Sequence, residues 1–326
     1  MTKLARPLRI AAAAVAFALI LGVPASAPAS AHQRAEFPVQ SMGDRGADVT
    51  ALQHLLRFRG HNVEVTGSFN PETQSAVSVF QAEVGLGDSG VANVATWEAL
   101  VPNLAEGDDN EAVIALKKQL NAKRKSGLTD TSAFNAATRD AVRAFQKHIG
   151  LSRTGDADRT TWRNLIWHFM RPDFSRPSLC NYNGGHTNGD WGTAATIAHL
   201  HDAADLFRTR AGGKVAIGDL SFEHGGEISL HNTHEHGLDI DIALIRQDGR
   251  QCSNPGISYT SGQYDRPDTR QLLQAIHDEL GSHLKLIYFN DPQMIAEGLS
   301  RKFANHNDHI HVRLCEPGHA LNRYVC

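Results

Sequence analysis

The 326-residue chain has only four cysteines and no C-x-x-C pair, which sets aside a site built on paired thiolates. It also lacks a surplus of positive charge. With 32 Lys+Arg against 35 Asp+Glu the formal charge is −3, so there is no global basic field and nucleic acid is not expected as the main partner. Long apolar runs are missing too: Ala11 to Val23 is uncharged, but a membrane-spanning helix needs about 20 residues. No phosphate-cradling loop of the Walker or dinucleotide type occurs. Ser282-His283-Leu284-Lys285 fits S-x-x-K, yet a β-like run follows at once and no K-T-G exists, which excludes a serine nucleophile of that kind. What remains is an ordinary folding composition, 41% apolar and 21% charged, with length for two or three domains. The abundant residue is histidine: 18 in all, most of them between His186 and His319.

Lys3, Arg6 and Arg9 precede the apolar run, and Pro24, small residues and Ala29-Ser30-Ala31 follow it. That order is a secretory signal over residues 1–31, with Ala25-Ser26-Ala27 as a second cleavage point. Its removal takes away three positive charges and leaves −6, and no membrane span is expected afterwards. Export makes Cys180, Cys252, Cys315 and Cys326 disulfide candidates. Three pairings are possible; Cys180–Cys326 with Cys252–Cys315 is the one that ties the ends of the last domain together.

The first half of the chain is one pattern written twice. Val49, Leu52 and Leu56 recur as Val113, Leu116 and Leu120, and Phe69-Asn70, Val77, Phe80-Gln81 and Thr96-Trp97 recur as Phe134-Asn135, Val142, Phe145-Gln146 and Thr161-Trp162. The spacing within each copy is helical, and Asn70 and Asn135 stand where N-caps should. Each copy reads as three short helices around a small core. Leu52-Gln53, Ala76-Val77, Phe80-Gln81, Gly85-Leu86 and Thr96-Trp97 resemble the peptidoglycan-binding domain type 1; the second copy departs from it with Lys117 in the place of Gln53. The resemblance implies attachment to the bacterial cell wall. Arg171-Pro172 through Arg176-Pro177 breaks the pattern and reads as a linker.

Two segments concentrate the chemistry. From Leu238 to Ile242, and from His309 to Leu314, polar and apolar residues alternate as in strands. Asp239 and Asp241 share one face; His309, His311 and Arg313 share another. If the strands are neighbours in a sheet, imidazole and carboxylate converge. A hydrolytic zinc needs three N/O ligands and one open position, which His234, Asp241 and His311 can supply, with His309 placed to take a proton from water.

His231-x-x-His234, Gly237-Leu238-Asp239-Ile240-Asp241 and His306-x-x-His309-Ile310-His311 resemble the lysostaphin/D-Ala-D-Ala metallopeptidase group, and more closely the penicillin-insensitive murein endopeptidases. The likeness implies that His234, Asp241 and His311 hold a catalytic zinc and that His309 and His306 act at the water and transition state. It also implies that His231 can serve a second metal, with Asp268 as a candidate partner. His186, His199, His201, His277 and His283 are read as surface or core residues, His236 as a rim residue and His224 as a loop residue near the cleft.

The expected architecture is therefore multidomain: a signal peptide (1–31), two small all-α three-helix repeats (37–103 and 104–170), a linker (171–179), and an α+β metallopeptidase domain with a central antiparallel sheet (180–326). The expected function is that of a secreted zinc-dependent hydrolase, located in the cell wall or periplasm, cleaving peptidoglycan cross-links that involve D-Ala. A carboxypeptidase of the same group and a non-catalytic wall-binding protein are the alternatives. Peptidoglycan is the expected partner, and the sequence leaves the oligomeric state open.

Overall fold

The computed structural model describes residues 35–182, 188–229, 231, 233–317, 319 and 321–326; the leader read at 1–31 and His186 lie outside them. Each repeat forms three helices: α1 (Ala47–Phe58), α2 (Pro71–Glu83) and α3 (Val94–Leu100), then α4 (Glu111–Arg124), α5 (Ala136–His148) and α6 (Arg159–Trp167). Asn70 and Asn135 accept hydrogen bonds from the Thr73 and Thr138 backbone amides, satisfying first-turn donors that the helix leaves open. Leu52, Val77, Phe80 and Trp97, with Leu116, Val142, Phe145 and Trp162, are buried in one continuous apolar cluster that spans both copies.

The motif glutamines are structural staples. Gln81 donates to Val91 O and Thr96 Oγ1 and accepts from Gly90 N; Gln146 repeats this with Asp156 O, Thr161 Oγ1 and Gly155 N. Lys117, which replaces Gln53, keeps the same task. Its buried ammonium donates to Thr131 O, Thr131 Oγ1 and Ala133 O at 2.8–2.9 Å, where Gln53 donates to Thr66 Oγ1, Ser68 O and Thr73 Oγ1. The repeats pack α1 on α4 around a buried ion pair, Lys123 Nζ to Asp48 Oδ1 at 2.7 Å.

The last domain is built on a five-stranded sheet of order β1-β2-β3-β5-β4. Its strands are β1 (Leu179–Asn181), β2 (Val215–Ile217), β3 (Asp239–Ala243), β4 (Leu284–Tyr288) and β5 (His309–Leu314). Helices α7 (Ala194–Ala211) and α8 (Arg266–Leu280) share a core with the apolar faces of β3 and β5, and α9 (Pro292–Ala296) follows β4. The sheet is mixed rather than wholly antiparallel: β1 and β2 run parallel at one edge, because the long helix α7 carries the chain back across the sheet between them. Among the described residues no helix is long and apolar enough to cross a membrane.

Both disulfides differ from the end-to-end pairing. Cys180 joins Cys252 and Cys315 joins Cys326, with Cα separations of 5.8 and 5.0 Å. The first ties edge strand β1 to the loop after β3; the second folds the C-terminal tail back on the end of β5. Spatial proximity decides the pairing, and the tail reaches β5 before it reaches β1.

Residues 171–179 run along the last domain. Arg171 pairs with Asp190, Arg176 and Ser178 both bind Asp205, and Met170 bridges to Gly192. The repeats are docked on this domain at two places. Arg45 reaches Asp202 at 2.8 Å and Glu279 at 3.1 Å, while Arg124 and His148 reach Glu223 at 2.6 and 2.9 Å.

Candidate metal centre

Strands β3 and β5 are direct neighbours, with Asp239 opposite Arg313, Asp241 opposite His311 and Ala243 opposite His309. Because side chains alternate across a strand, this register puts both carboxylates and the imidazoles on one face of the sheet. His234, from the connection between β2 and β3, meets the same carboxylates. His234 takes a left-handed backbone, φ 72°, held by its amide donating to Asp239 Oδ2 at 3.1 Å. Its Nδ1–H donates to Leu220 O at 2.7 Å, which leaves Nε2 as the lone-pair nitrogen.

Three donor atoms then meet. His234 Nε2 is 3.2 Å from His311 Nδ1 and 3.3 Å from Asp241 Oδ1, and His311 Nδ1 is 2.9 Å from Asp241 Oδ1. With metal–ligand bonds of about 2.0–2.1 Å, a tetrahedral zinc has ligand–ligand edges of about 3.3 Å, so the triangle is of zinc size. The donor set, two nitrogens and a carboxylate oxygen, is the open-site chemistry of a hydrolytic zinc.

The supports behind the triangle follow the usual design of such sites. His311 Nε2–H donates to Asp239 Oδ1 at 2.9 Å, and Asp239 also accepts from Arg313 Nε at 2.7 Å and Tyr324 OH at 2.6 Å. Burial raises both carboxyls, but hydrogen bonds and charge from the facing histidines, and from Arg313 at Asp239, outweigh it and hold both well below the usual range. Burial pulls the His311 imidazole down, yet Asp239 and Asp241 together hold it up at about 9.

His309 and His306 stand beside the triangle and are more exposed than its members. His309 Nδ1–H donates to Asp308 Oδ1 at 2.9 Å and its Nε2 lies 4.0 Å from Asp241 Oδ1. His306 Nδ1–H donates to Ala304 O at 2.7 Å, and burial pushes its imidazole down to about 4, so the ring is neutral with a free Nε2. The two rings are 4.7 Å apart. His231 sits beyond His234, with Nδ1 3.8 Å from Asp241 Oδ2 and Nε2 3.3 Å from Asp219 Oδ2. His231, His234 and Asp241 themselves form a group close enough to hold an ion.

Asp219, not Asp268, is thus the carboxylate beside His231; Asp268 lies in the first turn of α8. Sequence reasoning also missed Tyr324, whose only signal was its place two residues before a cysteine, and Tyr182. The Tyr182 hydroxyl lies against Gly218, where a Cβ would come within 2.3 Å of it, and burial together with the charges of Asp241, Asp219 and Asp308 pushes its phenol up. Of the other histidines, His199 and His283 are buried at the junction with α1, His277 bonds Leu299 O, and His201 accepts from the Asp173 amide. His236 meets His319 edge-on and lies tilted beside Tyr324, and His224 is stacked with Trp167.

Against known families, residues 45–100 and 109–165 match the putative peptidoglycan binding domain, and residues 185–279 match the penicillin-insensitive murein endopeptidase family. The second match ends before β5, so His306, His309 and His311 stand on geometry. Among solved structures, a peptidoglycan-binding protein from Clostridioides difficile is 39% identical over 19% of this chain and 39% of its own, with a TM-score of 0.19. A fused Zn-dependent amidase/peptidase/peptidoglycan-binding domain-containing protein from Clostridium acetobutylicum is 25% identical over 27% of this chain and 45% of its own, with a TM-score of 0.20. The chain spans less than half the length of either. No curated protein matches at a significant level.

Proposed function

Since the chain carries two peptidoglycan-binding domains followed by a penicillin-insensitive murein endopeptidase domain, we propose that it is a zinc-dependent peptidoglycan hydrolase that cuts peptide cross-links involving D-Ala. The observation that carries this reading is the triangle of His234 Nε2, Asp241 Oδ1 and His311 Nδ1, with edges of 2.9–3.3 Å. Both family matches point to the cell wall, which supports a location outside the cytoplasmic membrane, as does the export signal read at 1–31.

In this proposal His234, Asp241 and His311 would hold one zinc, which would supply a Lewis acid for the scissile carbonyl and the attacking water. His309 takes the proton of that water on Nε2. Asp308 holds the Nδ1–H, fixing the tautomer and stabilising the imidazolium that forms. His306, neutral and 4.7 Å ring to ring from His309, offers its Nε2 to take that proton and hand it to the leaving amine. Asp239 acts through His311, whose ring it orients. His231, with Asp219 behind it, is assigned to a second ion. The two repeats raise the local concentration of substrate by holding the enzyme on the wall.

His311→Ala should abolish hydrolysis of purified sacculi while wall binding persists; retained hydrolysis would sink the assignment. The carboxypeptidase reading shares every ligand. Product chromatography separates the two, since an endopeptidase yields split dimers and a carboxypeptidase free D-Ala.

A further inference from the structure

A second group of metal-binding side chains lies at the junction between the second repeat and the last domain. Glu223 and His224 project from the loop that carries His231 and His234, and His148 comes from the end of α5. His148 Nε2 is 2.9 Å from Glu223 Oε1, His224 Nε2 is 3.9 Å from Glu223 Oε2, and one ligand atom from each residue lies within 4.8 Å of the others. His168 Nε2 adds a 3.2 Å contact to the same carboxylate. We propose that His148, Glu223 and His224 form a zinc site that fastens the wall-binding repeats to the hydrolase domain.

The rings are held ready by packing. His224 is stacked on Trp167 with 9° between the planes, and His168 meets Phe145 and Trp191 edge-on. The guanidinium of Arg124 stands at the point of convergence. Arg124 Nη1 is 2.6 Å from Glu223 Oε1, 3.2 Å from His148 Nε2 and 3.4 Å from His168 Nε2. A carboxylate oxygen only accepts, so His148 and His168 each present Nε2–H to Glu223 Oε1 beside the guanidinium, and an ion bound by His148 takes the place of its Nε2 proton. A zinc ion takes two imidazole nitrogens and a carboxylate at bonds of about 2.0–2.2 Å and keeps a position for water. Arg124 can make way: it lines an open cavity of about 220 Å³ with Lys125, Arg171 and Trp191. The cluster is partly open to solvent, so the ion has an entry path. The ligands come from both sides of the junction, so binding joins the domains and steadies the loop ahead of His231.

The site does not rest on the hydrolytic reading, and zinc itself is the probe. The metal-free full chain, equilibrated with micromolar zinc and washed, should retain one more zinc per chain than His148→Ala. His231→Ala should not remove that equivalent. Arg124→Gln should bind it about tenfold more tightly, because a competing positive charge is gone. On the wild-type chain, zinc addition should shift the ring resonances of His148 and His224, which needs no variant to fold. Equal zinc content in wild type and His148→Ala, loss of the extra zinc in His231→Ala alone, or no change at the His148 and His224 rings would each overturn the site.

Discussion

His311 and Asp241 face each other across directly paired positions of β5 and β3, with Nδ1 2.9 Å from Oδ1, while the other nitrogen of the same ring is held by Asp239 at 2.9 Å. One imidazole therefore joins the ligand triangle to the group that orients it. Asp239→Asn keeps the shape and removes the charge. Zinc affinity, measured by chelator competition, should fall by about 10–100-fold, with the fold intact by circular dichroism. An unchanged affinity would mean that Asp239 serves Arg313 and Tyr324 only.

His309→Gln removes the proton acceptor and leaves the triangle untouched. The proposal expects zinc content to stay at the wild-type level while kcat falls by about 10²–10⁴. Full activity in this variant would move the base to His306.

Gly237 has φ 67°, and a Cβ there would lie 2.9 Å from both a Phe169 ring carbon and the Thr193 amide nitrogen. Gly237→Ala should destabilise the last domain by about 1–3 kcal/mol and shift His234, so Tm and zinc retention should drop together. A variant as stable as wild type would show that Phe169 can move aside.

In the metal-free chain, the junction should loosen in acid. Burial, partly offset by Glu223, pushes His168 down to about 4, against an ordinary value of 6.5. Its contribution is complete above pH 6.5 and is lost as pH falls toward 4. At Glu223 burial acts upward but is outweighed by His168, His148 and His224, which hold it at about 2, so its contribution is lost between pH 4.5 and 2. Both act in one direction, each on the order of 3 kcal/mol at most, less where solvent screens the part-exposed Glu223. Small-angle scattering should record expansion of the chain in mild acid before either domain unfolds. A constant radius from pH 7 to the unfolding transition contradicts the expectation.

Lys117→Met removes the donor from Thr131 O and Ala133 O, which belong to exposed residues that water can partly satisfy, and should cost the second repeat about 1 kcal/mol in urea unfolding. Lys117→Gln, which restores the first copy's residue, should cost less. Equal losses would show that charge, not donation, matters at this position.

Much of the molecule was legible from local pattern. The repeat register predicted six helices and two asparagine caps, since helical spacing and capping are determined within a few residues. The alternation at Leu238–Ile242 and His309–Leu314 put the right side chains on one face of each strand, because the two-residue period leaves no other choice. Gln81 and Gln146 were visible as a motif, but their bonds to Gly90 and Gly155 were not, because those partners are brought back by the turn.

Sequence by itself determined which residues can bind metal and which strand face they occupy. Tertiary structure alone decided that β3 pairs with β5 so that Asp241 meets His311, that Asp219 rather than Asp268 stands by His231, and that Cys180 meets Cys252. It also brought His148 from one domain to Glu223 and His224 of another. Those outcomes depend on contacts between residues from twelve to more than seventy positions apart, and neither periodicity nor propensity carries information over that range; packing of the whole chain does.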